Sequence, residues 1–430
     1  MLYRYLRTTG LTELWIEGSE LSKGFYPWRV MNSKADILEI AGDWTRAEQV
    51  HRQSLEAAEK VGDRKLTARA AASLGQILHS QGKDNQAETF LNQALMIDRE
   101  LDDHPEICRV LLSLGGIRSL KGGYKEAHSY FKQASNIAAE LGDKKLLSGV
   151  LGNLGFIYLS QEDYDRSEQC FKERLELCRQ TGDRQGECQA LNNLGSVAMG
   201  RDDFKSALDW FQQALKLARQ IGDKLVINYA VGNIGSVHSE KGEYQQALEF
   251  FTEDLSLSRQ CGNSYSASIA LYNMADVYRG LGQHQKAEEH YREAVALARE
   301  LDMKYHLSIY LNGYADFCLE QGRHDKAQTF NDEALALAEE LQSRDTILNI
   351  KLLQATLAGP KDPQKAETML KALLEQDPDD GMRGQIFQEL FNLTGQPEHK
   401  EAALKSYHKA LERSSSIKIS ELMNELEGKR

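Results

Sequence analysis

The stretch Leu146–Asp183, LLSGVLGNLGFIYLSQEDYDRSEQCFKERLELCRQTGD, contains two helical faces and two turns. Leu151, Leu154, Ile157 and Tyr158 keep the 3–4 spacing of one buried stripe, and Ser167, Cys170, Phe171 and Leu175 keep it again. Gly182-Asp183 closes the stretch: glycine suits the left-handed residue that ends a helix, and the aspartate caps the next one.

Working outward, the same pattern returns every 40 residues. The first turn recurs at Gly42, Gly82, Gly122, Glu162, Asp202, Gly242, Gly282 and Gly322. Small residues follow at Ala47, Ala87, Ala127, Ser167, Ala207, Ala247, Ala287 and Ala327, and aromatics at Phe131, Phe171, Phe211, Phe251 and Tyr291. The second turn recurs at Gly62-Asp63, Asp102-Asp103, Gly142-Asp143, Gly222-Asp223 and Gly262-Asn263. Eight repeats in register predict an all-α array of antiparallel helix pairs, each helix roughly 25 Å long at 1.5 Å per residue. Gly75, Gly115, Gly155, Gly195 and Gly235 fall mid-helix, where glycine costs about 0.5–1 kcal/mol, so they must admit a close partner helix.

Composition agrees. Only 6 of the 430 residues are proline, against roughly 20 at average usage of about 5%. Pro27 and Pro105 alone precede residue 360, and Pro105 falls in a first turn, where its missing N–H is harmless. No run of 18 apolar residues suggests a membrane span, and Glu13 and Glu17 break any signal-peptide core. The cysteines at 108, 170, 178, 188, 261 and 318 show no paired spacing, so a reduced, cytoplasmic chain is expected. The net charge of −12 disfavours nucleic acid as partner. The motifs for phosphate cradles, dinucleotides, nucleophile elbows and zinc helices are missing, and His284 and His290 are six residues apart. No enzyme activity, cofactor or metal is expected.

The Leu154-Gly155 pair, the Gly242-Glu243-Tyr244 turn and the Ala127, Phe131 and Ala134 series resemble the tetratricopeptide repeat, lengthened from 34 to 40 residues. This variant is similar to kinesin light chains, Pins/LGN adaptors and Rap-type bacterial peptide receptors. The resemblance covers 24–342 and implies a right-handed superhelical solenoid. Residues 1–23 then form an N-terminal cap, 343–414 two degenerate helix pairs, and 415–430 a capping helix.

Three columns of the repeat are not explained by packing. Just before the mid-helix leucine stand Asn153, Asn193, Asn233 and Asn273. The resemblance implies that first helices line a concave groove and that asparagine here holds a peptide backbone; bridging neighbouring helices or fixing the local turn is the alternative. Five residues before that leucine stand Arg29, Arg69, Arg109, Gly149, Gln189 and Tyr229. The family uses this place to clamp carboxylates, which implies acidic ligand residues near the three arginines. Two residues after it come Asp276 and Asp316, with Glu240 and Glu320 nearby, an acidic end for which an ordinary solvated face is the alternative. The leading expectation is a protein-interaction adaptor binding a partner peptide. A peptide-sensing regulator and a self-assembling homo-oligomer are the alternatives.

Overall fold

In the computed structural model the described residues are Ala35, Leu38, 44–121, 123–260, 262–412 and 417–428. The expected cap over 1–23, Arg29 and Cys261 lie outside them. The chain divides into two compact units, Met1–Gly186 and Glu187–Arg430, so the division falls inside the repeat register.

Twenty helices and no strand are found among the described residues. The first unit holds α1 (Trp44–Val61), α2 (Arg64–Ser80), α3 (Asp84–Glu100), α4 (His104–Leu120), α5 (Tyr124–Leu141), α6 (Lys144–Ser160) and α7 (Tyr164–Thr181). Helix α8 (Arg184–Gly200) contains the division. The second unit continues with α9 (Phe204–Ile221), α10 (Lys224–Glu240), α11 (Tyr244–Gln260), α12 (Ser264–Gly280), α13 (His284–Glu300), α14 (Lys304–Glu320) and α15 (His324–Glu340). Shorter helices follow: α16 (Arg344–Ala358), α17 (Pro363–Leu374), α18 (Asp380–Thr394), α19 (Pro397–Leu411) and α20 (Ile417–Glu427).

The turn chemistry explains these boundaries. Gly62, Gly142, Gly182, Gly222 and Gly262 all have φ between +61° and +73°, the left-handed region that ends a helix. Asp63 then accepts from the Leu66 N–H at 3.0 Å, and Asp143 and Asp223 cap their helices alike. Asp103 is an exception. It makes no cap bond and pairs with Lys65 at 2.6 Å.

The mid-helix glycines do the packing work expected of them. A Cβ on Gly155 would stand 2.6 Å from the Phe171 ring, and one on Gly235 would stand 2.8 Å from Phe251. Phe131, Phe171, Phe211 and Phe251 are at most 1% exposed, and burying each contributes roughly 2–3 kcal/mol. Glycine's propensity cost is therefore offset several-fold. At α12 the device changes: Ala275 takes the glycine's place, and Tyr291, buried in the same core, donates its hydroxyl to the Asp276 carboxylate.

Candidate functional site

In the second unit, α10, α12, α14 and α16 each place residues on one face that borders a single cavity. On α14 the row Tyr305, Ile309, Gly313 and Asp316 borders a cavity of about 650 Å³. These residues follow i, i+4, i+8 and i+11 spacing, one stripe of a helix. The 40-residue register gives α12 the equivalent row Tyr265, Ile269, Asn273 and Asp276, and α10 the row Leu225, Tyr229, Asn233 and Ser236. In α8 the row reads Gln189, Asn193 and Ser196. A second cavity of about 480 Å³ shares Arg279, Asn312 and Asp316 with the first.

The two edges of this face differ chemically. At the N-terminal ends of the helices, Leu225, Tyr229, Tyr265 and Tyr305 are 44–50% exposed. Tyr265 lies against His306, ring centroids 5.2 Å apart. Burial, then the neighbouring Tyr229 and Tyr305, raise the Tyr265 pKa. At the C-terminal ends stand Glu240, Asp276, Asp316 and Glu320. Arg279 pairs with Asp316 at 2.6 Å and also with Glu320. Its partial burial works against the charge, but the two carboxylates outweigh it and hold the guanidinium firmly ionised.

Helix α20 supplies a further wall, beside residues of α16 and α18. Its Leu426 is buried, and Ile419, Leu422 and Met423 pack with it against Phe387, Phe391, Leu404 and Tyr407. Glu421 borders both cavities and Glu425 the smaller one. Glu421 lies near enough to Tyr244 for its charge to raise the phenol pKa, after the larger effect of burial. Among the described residues, the cavities are bordered by the carboxylates of Glu240, Asp276, Asp316, Glu320, Asp345, Glu389, Glu421 and Glu425, and by one cationic side chain, Arg279.

The residues singled out in the sequence divide as follows. Arg29 lies outside the described residues. Arg69 and Arg109 share one carboxylate in the first unit, Glu106, at 3.7 and 2.5 Å. Asn153 turns back on its own helix, donating to the Gly149 carbonyl at 3.0 Å. Asn233 donates to the Asn192 side-chain oxygen at 3.0 Å, a bridge between neighbouring repeats. No hydrogen bond ties the amides of Asn193 and Asn273 to a described residue. Gln189 and Tyr229 are exposed on their rows. Asp276 and Asp316 are engaged internally by Tyr291 and Arg279.

Sequence reasoning missed Arg279, Asn312, Asp345, Glu389, Glu421 and Glu425. Arg279 left a signal, since Ser239 and Leu319 hold its place in adjacent repeats. The residues of α20 left none, because nothing in the register relates that helix to the repeats it faces. Among the described residues, no three His, Cys, Asp or Glu side chains are placed to hold a metal ion. No described helix is long and apolar enough to cross a membrane. Cys108, Cys170, Cys178, Cys188 and Cys318 are buried thiols, filling core positions.

Comparison with known proteins agrees with the fold. No curated protein matches the sequence. Among solved structures, the apo form of the quorum sensor NprR from B. thuringiensis superposes with a TM-score of 0.56 at 14% identity, over 81% of this chain and 98% of that one. A Rap protein complexed with Competence and Sporulation Factor gives 0.55 at 17% identity, over 85% and 100%. A signal-transduction ATPase with a tetratricopeptide repeat sensor from Pyrococcus horikoshii gives 0.53 at 17% identity, over 94% of this chain and 55% of that one. The MalT-like TPR region model matches 222–376, and a tetratricopeptide repeat model matches 29–100 and 146–220. With helix pairs, turns and glycine–aromatic packing all in a 40-residue register, the chain belongs to the tetratricopeptide-repeat proteins.

Proposed function

We propose that this chain is a non-catalytic interaction module that holds a peptide segment of a partner protein along the inner face of the second unit. The observation that carries this reading is the row of side-chain amides at Asn193, Asn233 and Asn273. Two of them have no hydrogen bond to a described residue, and the third spends one donor on Asn192. An amide presents both a donor and an acceptor, so it pairs with a peptide unit whatever that residue's side chain. Gln189 extends the row, and Tyr229 beside it offers apolar contact. In the first unit, Arg69 and Arg109 suit an acidic ligand residue, with Glu106 as internal competitor. A cytoplasmic location is part of the same reading.

The test replaces Asn193, Asn233 and Asn273 with alanine and measures both peptide affinity and melting temperature. Affinity for a peptide selected on the wild type should fall at least roughly tenfold, the loss of about 1.4 kcal/mol. Melting temperature should move by no more than a few degrees. Asn153→Ala, which removes an amide already bonded to its own helix, should leave binding in place. Retained binding with a large drop in melting temperature would assign the amides to packing.

A sensory role is the second reading, favoured by the likeness to a quorum sensor and to a Rap protein bound to a signalling factor. It requires a ligand-dependent change of shape, and superimposable scattering curves with and without peptide would eliminate it.

A further inference from the structure

We infer that the inner face of the second unit selects a cationic segment, one bearing lysine or arginine, and that the C-terminal helix α20 forms one jaw of that site. The inference rests on the peptide-binding reading above and deepens it. Charge is the first observation. Among the described residues, Arg279 is the one cationic side chain bordering the two cavities, and Asp316 and Glu320 already occupy it. The carboxylates of Asp345, Glu421 and Glu425 border the same space and have no ion pair or hydrogen bond from a described side chain. Carboxylates gathered at one concave surface raise the local concentration of cations and steer them inward.

The second observation is independent of charge. The side-chain oxygen of Asn312, which borders both cavities, is buried and has no hydrogen-bond donor among the described residues. Unpaired buried acceptors are rare in folded proteins. A lysine ammonium or an arginine guanidinium carries donors alone, so it serves the surrounding carboxylates and, once the Asn312 side chain turns toward the cavity, this oxygen with them. A ligand carboxylate would leave the oxygen unpaired and repel the walls.

The third observation concerns the opposite edge. Tyr305, half exposed, and Ile309 border the larger cavity, and Tyr265 stands in the next repeat. Lysine and arginine lay their aliphatic stems on apolar surface, and their charged heads are attracted to aromatic faces. The face therefore matches a segment that carries basic side chains: apolar portions on the tyrosine edge, charged heads among the acids. Helix α20 completes this arrangement, because its apolar side is committed to Phe387, Phe391 and Tyr407 while Glu421 and Glu425 meet the cavities.

The test pans a random peptide library of about twelve residues against the whole chain and against an E421Q/E425Q/D345N variant. These substitutions keep side-chain size and leave the asparagine row intact. Wild type should enrich sequences with an excess of lysine and arginine. Anisotropy of one labelled enriched peptide should show affinity falling roughly tenfold in the variant and again as salt rises past the screening range. Circular dichroism and melting curves matching wild type would tie that loss to the site. Enrichment of neutral or acidic sequences, or binding unchanged in the variant, would overturn the inference. If those sequences still lose affinity when Asn193, Asn233 and Asn273 become alanine, the groove reading survives without it. Enrichment of nothing at all would defeat both.

Discussion

Asp254 takes the place that Ala94, Ala134, Ala214, Ala294 and Ala334 hold in other repeats. It is 5% exposed and accepts from the Asn228 amide at 2.5 Å and the Ser258 hydroxyl at 3.3 Å. Burial pushes its pKa up to about 7, against the hydrogen bonds that pull it down. A raised folded-state pKa means that the native protein binds this proton more tightly than the unfolded chain does. The stabilising contribution is present in full below the unfolded value of 3.8 and is lost as pH climbs through about 7. Asp98, buried in the first unit and raised to about 6 by burial and then by Glu106 and Asp103, acts in the same sense. Asp254→Asn should therefore raise the melting temperature at pH 8 and flatten its dependence between pH 5 and 8, with a gain of roughly 2–4 kcal/mol at the alkaline end. Thermal unfolding across that range measures it, and an unchanged pH profile would refute the assignment. The sequence also held a rule that is easy to pass over. Gly232 lies against Asp254 and Gly152 against Arg174, so the two large intruders at the alanine position each face a glycine. The missing side chain makes the room.

At the scale of the helix pair, the glycine–phenylalanine contact sets the separation of partners. Gly155→Ala would gain roughly 0.5–1 kcal/mol of helix propensity. It would also press a methyl group to 2.6 Å from a buried ring, and overpacking of this kind costs roughly 1–3 kcal/mol. The second effect should win, by about 1–2 kcal/mol, in a denaturant titration. Most of this level was legible beforehand. The leucine, glycine and aromatic columns, the glycine-aspartate turns and the helix ends follow from short-range chemistry, and the structure places them as the spacing predicts. The asparagine column was only half legible. Its position on a first helix could be read, but the bridge from Asn233 to Asn192 and the backward bond of Asn153 depend on neighbours that vary between repeats.

For the second unit as a whole, the helix at the chain's end is the deciding part. Removing the residues after Glu412 would strip Leu426, Ile419, Leu422 and Met423 from Phe387, Phe391 and Tyr407. With one side chain fully buried and three partly so, the cost is on the order of 3 kcal/mol. The truncated chain should melt several degrees lower and bind a hydrophobic dye that the full chain does not. An unchanged melting curve would show that α20 contributes no packing.

The repeat, its length, its helix pairs, its turns and the family can all be read along the chain, because each repeat is packed by contacts within itself and with its neighbours. Such contacts recur at a fixed interval and so are written along the chain. Tertiary structure alone decided that Glu421 and Glu425 stand opposite Arg279 and Asn312, that Arg69 and Arg109 share Glu106, and that two of the four asparagines are already engaged. Those meetings depend on small rotations summed over many repeats and on which neighbour a side chain happens to reach, and neither leaves a period to read.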